Sequence, residues 1–395
     1  ITSRGMPKEK IMSVILDNVF TILLATLIIV IYLYFKHAHT YWKNMGVPQL
    51  NPSFPFGDMA SVIFRKQNMG DKIKEIYDKM KGHKYVGLYF FSRRVFLPLD
   101  PVLIKNILST DFQHFYDRGI YYDEENDPLS AHLFSIAGPK WKHLRAKLTP
   151  AYSPGKLKYM FNTIVDCGHQ MTDILKEIAL KDGTVEIKEI LARYTTDVIG
   201  SCAFGLECNC MRNPQAEFRL MGKRAFTQTV GDVLKMSSIS STLTMEEAAA
   251  QAFIFFLAGF ETTSTTISFA LKCTKTYQVP DTNVYIEEGL SVLIPCYGLH
   301  RDPEYFPDPE LFDPNRFNEE NKSKIWDYTY MPFGDGPRNC IGMRFAMIQA
   351  KIALSLTLRN FKFCLSKKTK LPLKMETKGI ILAAIGGLWI DLMPV

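Results

Sequence analysis

The sequence predicts one large globular domain, helical along its longest apolar stretches and carried on a single N-terminal membrane-spanning helix. Three observations support this. First, 47% of the 395 residues are hydrophobic and 22% are charged. That balance suits a packed core and excludes a disordered, collagen-like or polytopic membrane chain. Second, Val19–Phe35 is seventeen residues without a charge. Third, Ala248–Phe269 is apolar around nearly its whole circumference at 3.6 residues per turn, which marks a buried helix. Thr244 and Glu247 form a capping box at its start. Lys and Arg number 47 against 40 Asp and Glu, a net charge of +7. No basic block reaches five or six residues, so no nucleic acid is expected as partner; a membrane surface or an acidic protein face is.

The anchor comes first in the chain. Seventeen residues at about 1.5 Å each span roughly 26 Å, near the lower limit for a bilayer core. Val14–Leu16 extend the run if Asp17 sits at the interface. Tyr32, Tyr34 and Trp42 suit the interfacial aromatic belt, and Lys36, His37, His39 and Lys43 follow. A cleaved signal peptide is the competing reading, but the run is long for one and no small-x-small site follows closely. Arg4, Lys8 and Lys10 precede the span; a start at Met12 would remove them and leave the domain on the cytoplasmic side. Residues 1–47 are therefore expected as anchor and flank, and 48–395 as one domain. The Pro48–Gly57 segment is expected to be a stiff linker that fixes the tilt of that domain. Further on, Trp141 and Arg145 share one face of a helix, and both can donate to a carboxylate. An ordinary amphipathic helix would show the same pair. Eight cysteines with no C-x-x-C pair do not make a disulfide scaffold. Cys208 and Cys210 are too close for a zinc knuckle and read as incidental thiols in a reducing compartment.

The most informative stretch is Met331–Ala346, a Gly- and Pro-rich loop that delivers Cys340 to the start of a helix. A helix N-terminus depresses a thiol pKa, and Arg338 acts in the same direction, so Cys340 is expected as a thiolate, either nucleophile or metal ligand. The flanking glycines let backbone approach something flat or bulky. Within the buried 248–269 helix, Glu261 and Thr262 are polar groups that need a reason; a side chain–backbone network that bends the helix is one. His300 could ligate a metal, but a histidine satisfied by backbone is the better reading, because no second ligand cluster adjoins it.

The spacing Phe333-x-x-Gly336-x-Arg338-x-Cys340-x-Gly342 is similar, at every fixed position, to the heme-binding loop of cytochrome P450 monooxygenases. Ala258-Gly259-x-Glu261-Thr262-Thr263 resembles that family's oxygen-binding helix. Trp141-x-x-x-Arg145 resembles its propionate-binding helix, and Pro314-x-Arg316-Phe317 its meander. The resemblance implies a mainly α fold with small β-sheets and heme b as cofactor. Cys340 would be the axial thiolate, the one ligand the protein gives the metal. Arg338, Trp141, Arg145 and Arg118 would meet the propionates, Phe333 would pack beside the sulfur, and Gly336 and Gly342 would shape the loop. Gly259 would leave room for O2, and Glu261 and Thr262 would relay protons. The implied reaction inserts one atom of O2 into an apolar small molecule, a xenobiotic or an endogenous lipid or hormone. Electrons would come from NADPH through a separate NADPH–cytochrome reductase, with cytochrome b5 as a further donor. No G-x-G-x-x-G or P-loop is present for a nucleotide. Lys140, Lys142, His143, Lys147 and Arg344 would offer a basic face to an acidic redox partner. The 117–134 loop and a hairpin near Ile380–Ile385 would face substrate, with Tyr121, Phe134, Phe255 and Phe256 as aromatic lining. The pattern is most like insect microsomal detoxifying members, which implies the endoplasmic reticulum membrane with the catalytic domain facing the cytoplasm.

Two places depart from the family. The chain is expected to be shortened near 235–242 and 271–273. The long helix is expected to run to about Leu271, after which Lys272–Pro280 reads as strand and turn. The family has helices there, one carrying an E-x-x-R pair, and this sequence contains no E-x-x-R. Without that carboxylate Arg316 would be an unpaired charge if buried, at a cost of roughly 3–5 kcal/mol. The alternative to an active enzyme is therefore a truncated or incompletely recorded pseudoenzyme that binds heme poorly. A heme-thiolate isomerase ranks third, because an acid–alcohol pair beside Gly259 has no obvious use there.

Overall fold

The computed structural model describes residues 8–220, 269–377 and 383–395. Helix α1 (Lys8–Ala38) contains the uncharged run. Among the described residues it is the one helix long and apolar enough to cross a membrane. Its apolar side chains between Ile15 and Tyr34 are exposed, which is unfavourable in water and favourable in lipid. The hydroxyls of Thr21 and Thr26 donate to the carbonyls of Asp17 and Ile22 at 2.8 Å, so they need no water. Near its end α1 docks on the domain. Phe35 meets Phe54 edge-on at 5.6 Å, Tyr32 packs on the same ring, and His39 Nε2 lies 2.9 Å from the Phe91 carbonyl oxygen.

Strands β1 (Tyr85–Phe90) and β2 (Arg93–Pro98) form a hairpin. Two more strands complete that sheet, β4 (Phe269–Lys272) and β7 (Ser291–Ile294), in the order β1-β2-β7-β4. β7 is parallel to β2 and antiparallel to β4. A second sheet has the order β3-β9-β8, from Thr184–Glu186, Trp389–Pro394 and Phe361–Leu365. β5 (Tyr277–Gln278) and β6 (Tyr285–Ile286) make a short pair. One core lies against the first sheet and takes Ile73 and Ile76 from α2 (Met69–Lys79). A second core joins α4 (Pro154–Lys181), α5 (Ile187–Ile199) and α6 (Met343–Asn360). There α4 and α6 meet closely at Gly168, where a Cβ would come within 2.6 Å of Leu356. A small third cluster, Leu133, Ile136 and Trp141, gathers around α3 (Gly138–Leu148).

Three sequence expectations change here. Trp42 is not in an interfacial belt but fully buried. Its Nε1 donates to Leu88 O at 3.1 Å, its backbone N–H donates to the Tyr89 hydroxyl at 3.0 Å, and its indole fills the slot over Gly87. A strand that lacks a side chain at one position offers a complete burial that an interface does not. Pro48–Gly57 is not a free-standing spacer, since Pro48 O accepts from Gly87 N–H at 2.8 Å and Ser53 and Gly57 exchange two backbone hydrogen bonds. Residues 269–271 are strand rather than the end of a helix, because β7 offers a sheet edge that pairs Phe269 through Lys272. The C-terminal hairpin reading holds at its described ends: Glu376 N–H donates to Ala383 O and Ile385 N–H to Lys374 O.

Candidate functional site

The 331–342 loop leads into α6. It is closed by the Cys340 N–H donating to Phe333 O at 2.8 Å. Gly334 and Gly336 both take positive φ, +71° and +68°. At Gly336 a Cβ would stand 1.9 Å from the Leu108 carbonyl oxygen, so both the backbone angle and the close approach require glycine. Gly336→Ala is expected to destabilise the chain by roughly 2–5 kcal/mol, from left-handed strain and overpacking together. A thermal melt within a degree of the parent would refute that. Gly342 differs. It caps α6 with φ −90°, and a Cβ there would meet only Tyr152 at an ordinary 3.7 Å.

Cys340 is exposed, and its ionisation differs from the sequence expectation. Burial of the sulfur's protein-facing side pushes the thiol pKa up, while the Gly342 N–H, Arg145 and Arg118 pull it down. The helix begins only at Met343, so the full N-terminal field does not act at Cys340. Arg338 is turned away: its Nε donates to Tyr116 O at 2.7 Å and its Nη2 to Ile136 O at 2.9 Å. The cations that act on the sulfur are Arg145 and Arg118, which come from distant segments.

Those two arginines hold the loop itself. Arg145 donates to the Asn339 carbonyl and to Asn339 Oδ1, each at 2.8 Å. Arg118 Nη2 donates to Arg338 O at 3.1 Å, and its guanidinium lies 4.3 Å from the Phe134 ring. Phe134, expected to line a substrate pocket, thus carries Arg118. The buried Trp141 ring lies 4.2 Å from the Arg338 guanidinium. Arg118, Arg145 and Arg338 crowd one another. Burial and the neighbouring cations push Arg118 down to about 10 and Arg338 to about 9, while Asp117 offers Arg338 one opposing charge, 3.8 Å away. Guanidiniums gathered in this way suit the binding of an anion. A crevice lined by Leu108, Arg118, Leu271, Gly334, Asp335 and Arg338 opens beside it.

The structure brings together Phe333, Gly336, Arg338, Cys340, Gly342, Trp141, Arg145 and Arg118. Gly259, Glu261 and Thr262 lie outside the described residues, as do the Thr244–Glu247 box, Phe255 and Phe256. Sequence reasoning missed Asn339, which receives Arg145 through its carbonyl and side chain, and Asp117. The available signal for Asp117 was that Ala137-Gly138-Pro139 opens a helix without a capping side chain of its own.

His300 accepts the Met331 N–H at Nε2, 2.8 Å, and no cluster of three or more potential metal ligands occurs among the described residues. The backbone-satisfied reading therefore holds. Burial, aided by Arg301, holds its pKa down to about 4, and burial does the same to His132. A folded-state pKa below the unfolded value means that protonation favours unfolding. The stability these rings contribute is complete above about pH 6.5 and lost as pH falls toward about 4. The melting midpoint should fall across that window, and fall less steeply for His300→Gln; a flat profile in the parent would contradict this. Arg316 is partly exposed and donates to the carbonyls of Pro307, Asp308 and Leu311. It is therefore not an unpaired buried charge, and the expected penalty does not arise.

A cytochrome P450 family model matches residues 48–240, 222–273 and 272–389. The protein named "Probable cytochrome P450 6a14" from Drosophila melanogaster is 33% identical over 482 aligned positions, covering 89% of this chain and 94% of that protein. Cytochrome P450 6a9 from the same fly is 32% identical over 499 positions, covering 94% and 99%. Both alignments are longer than the 395 residues of this chain, so each relative has residues without a counterpart here. The cysteine loop, the arginines converging on it, the mostly helical domain with small sheets and this similarity lead to one assignment: the chain belongs to the cytochrome P450 family, the heme-thiolate monooxygenases.

Proposed function

We propose that this chain oxidises apolar small molecules, xenobiotics or endogenous lipids and hormones, at a heme held by Cys340. The observation that carries this is the convergence of Arg118 and Arg145 on the Cys340 loop, where Arg145 donates to the Asn339 carbonyl and side chain and Arg118 to the Arg338 carbonyl, with both cations acting on the Cys340 sulfur. That donor set fits heme: the guanidiniums would meet its carboxylates and the Cys340 sulfur would hold its iron. Arg118, Arg145 and Arg338 would hold the carboxylates, with Trp141 flat against Arg338. Phe333 and Gly336 would set the loop, and Gly342 would keep its backbone open. Bound heme supplies the activation of O2 for insertion of one oxygen atom into the substrate. Gly259, Glu261 and Thr262 take the oxygen-side roles by sequence pattern. The family's reductase delivers NADPH-derived electrons, and cytochrome b5 would serve as a further donor. Exposed Lys140, Lys142, His143, Lys147 and Arg344 would offer basic groups to an acidic partner, with Lys140 also ion-paired to Glu124. α1 would anchor the chain in the endoplasmic reticulum membrane, with the domain 48–395 on the cytoplasmic side.

The second reading, a shortened chain without activity, also has support. No E-x-x-R is present, and the family match is divided at 222–240 and 272–273, next to the expected shortenings at 235–242 and 271–273. A reduced carbon monoxide difference spectrum of this 395-residue chain in membranes decides between them. A red-shifted Soret band is expected. An absent or unshifted band would overturn the active reading and leave the second.

A further inference from the structure

Helix α3, which carries Trp141 and Arg145, starts without a cap of its own. Ala137 occupies the N-cap and makes no side-chain hydrogen bond, Pro139 has no N–H, and the Trp141 N–H reaches Ala137 O only at 3.4 Å. The Gly138 N–H is taken instead by Asp117 Oδ1, at 2.8 Å. The same oxygen faces Arg338 at 3.8 Å. The main chain of Asp117 is itself held, since its carbonyl accepts the Lys272 N–H at 2.7 Å in an isolated antiparallel bridge to the end of β4. Gly119, two residues on, has φ +65°, and a Cβ there would lie 3.1 Å from Lys272 Cβ. Arg118 is the next residue after Asp117. One carboxylate, fixed to the first sheet, therefore touches or adjoins every segment that supplies a cation to the site.

We propose that Asp117 is the positioning residue of the arginine cluster. Its Oδ1 replaces the missing cap of α3, and thereby sets the height at which Trp141 and Arg145 meet the Cys340 loop. The physical basis is ordinary. A carboxylate at a helix N-terminus satisfies an orphan N–H and complements the helix dipole. Here the capping oxygen comes from another segment, so the contact fixes tertiary placement as well as the helix end. The inference rests on the reading of the three arginines as the holders of an anionic heme.

The test is hemin titration of the heme-stripped 395-residue chain in lipid nanodiscs, combined with amide exchange. Asp117→Asn keeps an oxygen that can accept the Gly138 N–H; Asp117→Ala does not. Asp117→Ala is expected to weaken hemin binding about tenfold and to speed exchange at 138–141 while α4 and α6 are unchanged. Asp117→Asn should restore both to within about twofold of the parent. Parent-like binding by Asp117→Ala, or an asparagine chain as weak as the alanine chain, would overturn the proposal. If the alanine chain does not accumulate, Asp117→Glu, which displaces the oxygen by one methylene, takes its place with the same expected loss. Arg145→Ala separates the layers of the argument. Parent-like hemin binding by Arg145→Ala removes the underlying reading and the proposal with it. A weak Arg145→Ala beside a parent-like Asp117→Ala removes only the role of Asp117.

Discussion

Cys340→Ser should abolish the red-shifted band of the reduced carbon monoxide complex and reduce reductase-dependent turnover to background, with little change in the melting temperature of the chain. The substitution isolates the sulfur. The loop is held by backbone, through the Cys340 N–H to Phe333 O, and by Arg145 on Asn339, and neither contact uses the side chain at 340. A serine hydroxyl is smaller and harder, and it stays protonated at neutral pH, so it cannot supply the electron density that a thiolate gives the iron. The raised thiol pKa sharpens the expectation. Burial works against the free thiolate, and Arg145, Arg118 and the Gly342 N–H offset it only in part. Bound iron would favour the deprotonated sulfur. A Cys340→Ser chain that kept the shifted band would place the ligand at another cysteine and end the assignment of this loop.

Trp42→Ala should cost about 3–5 kcal/mol, a large part of the 5–15 kcal/mol that holds a typical domain. The indole is completely buried. It closes the space above Gly87 and uses its N–H on Leu88. Removing it leaves a cavity bounded by backbone that cannot collapse. A tryptophan at a membrane interface would lose far less. Chemical or thermal unfolding of the solubilised chain distinguishes the two placements; a loss under about 1 kcal/mol would return Trp42 to the interface. The same contact explains how α1 is joined to the domain. Trp42 lies four residues beyond the end of α1, so the core grips the chain directly after that helix.

Much of this was legible because the signals are local. The uncharged run of α1 is a property of consecutive residues, and so is the loop spacing from Phe333 to Gly342. The helix that pairs Trp141 with Arg145 also follows from spacing alone. His300 was read as structural because no ligand cluster adjoined it, and its ring is held by the Met331 N–H. The misreadings share a different origin. Arg338 is near Cys340 in sequence, yet its guanidinium goes to Tyr116 and Ile136, while Arg118 and Arg145 arrive from afar to act on the sulfur. Residues 269–271 have helix-compatible side chains, but an open edge of β7 pairs with them. Arg316 seemed to need a carboxylate and instead uses three carbonyls of its own meander.

The sequence by itself therefore determined the long apolar helix α1, the cysteine loop and the family's chemistry, because each depends on residue types at fixed short spacing. Only the tertiary structure decided which cations face Cys340, where Trp42 lies and what caps α3. Those outcomes depend on which buried groups find partners across the fold, and a hydrogen bond or an indole slot contributed from distant residues has no signature in local spacing.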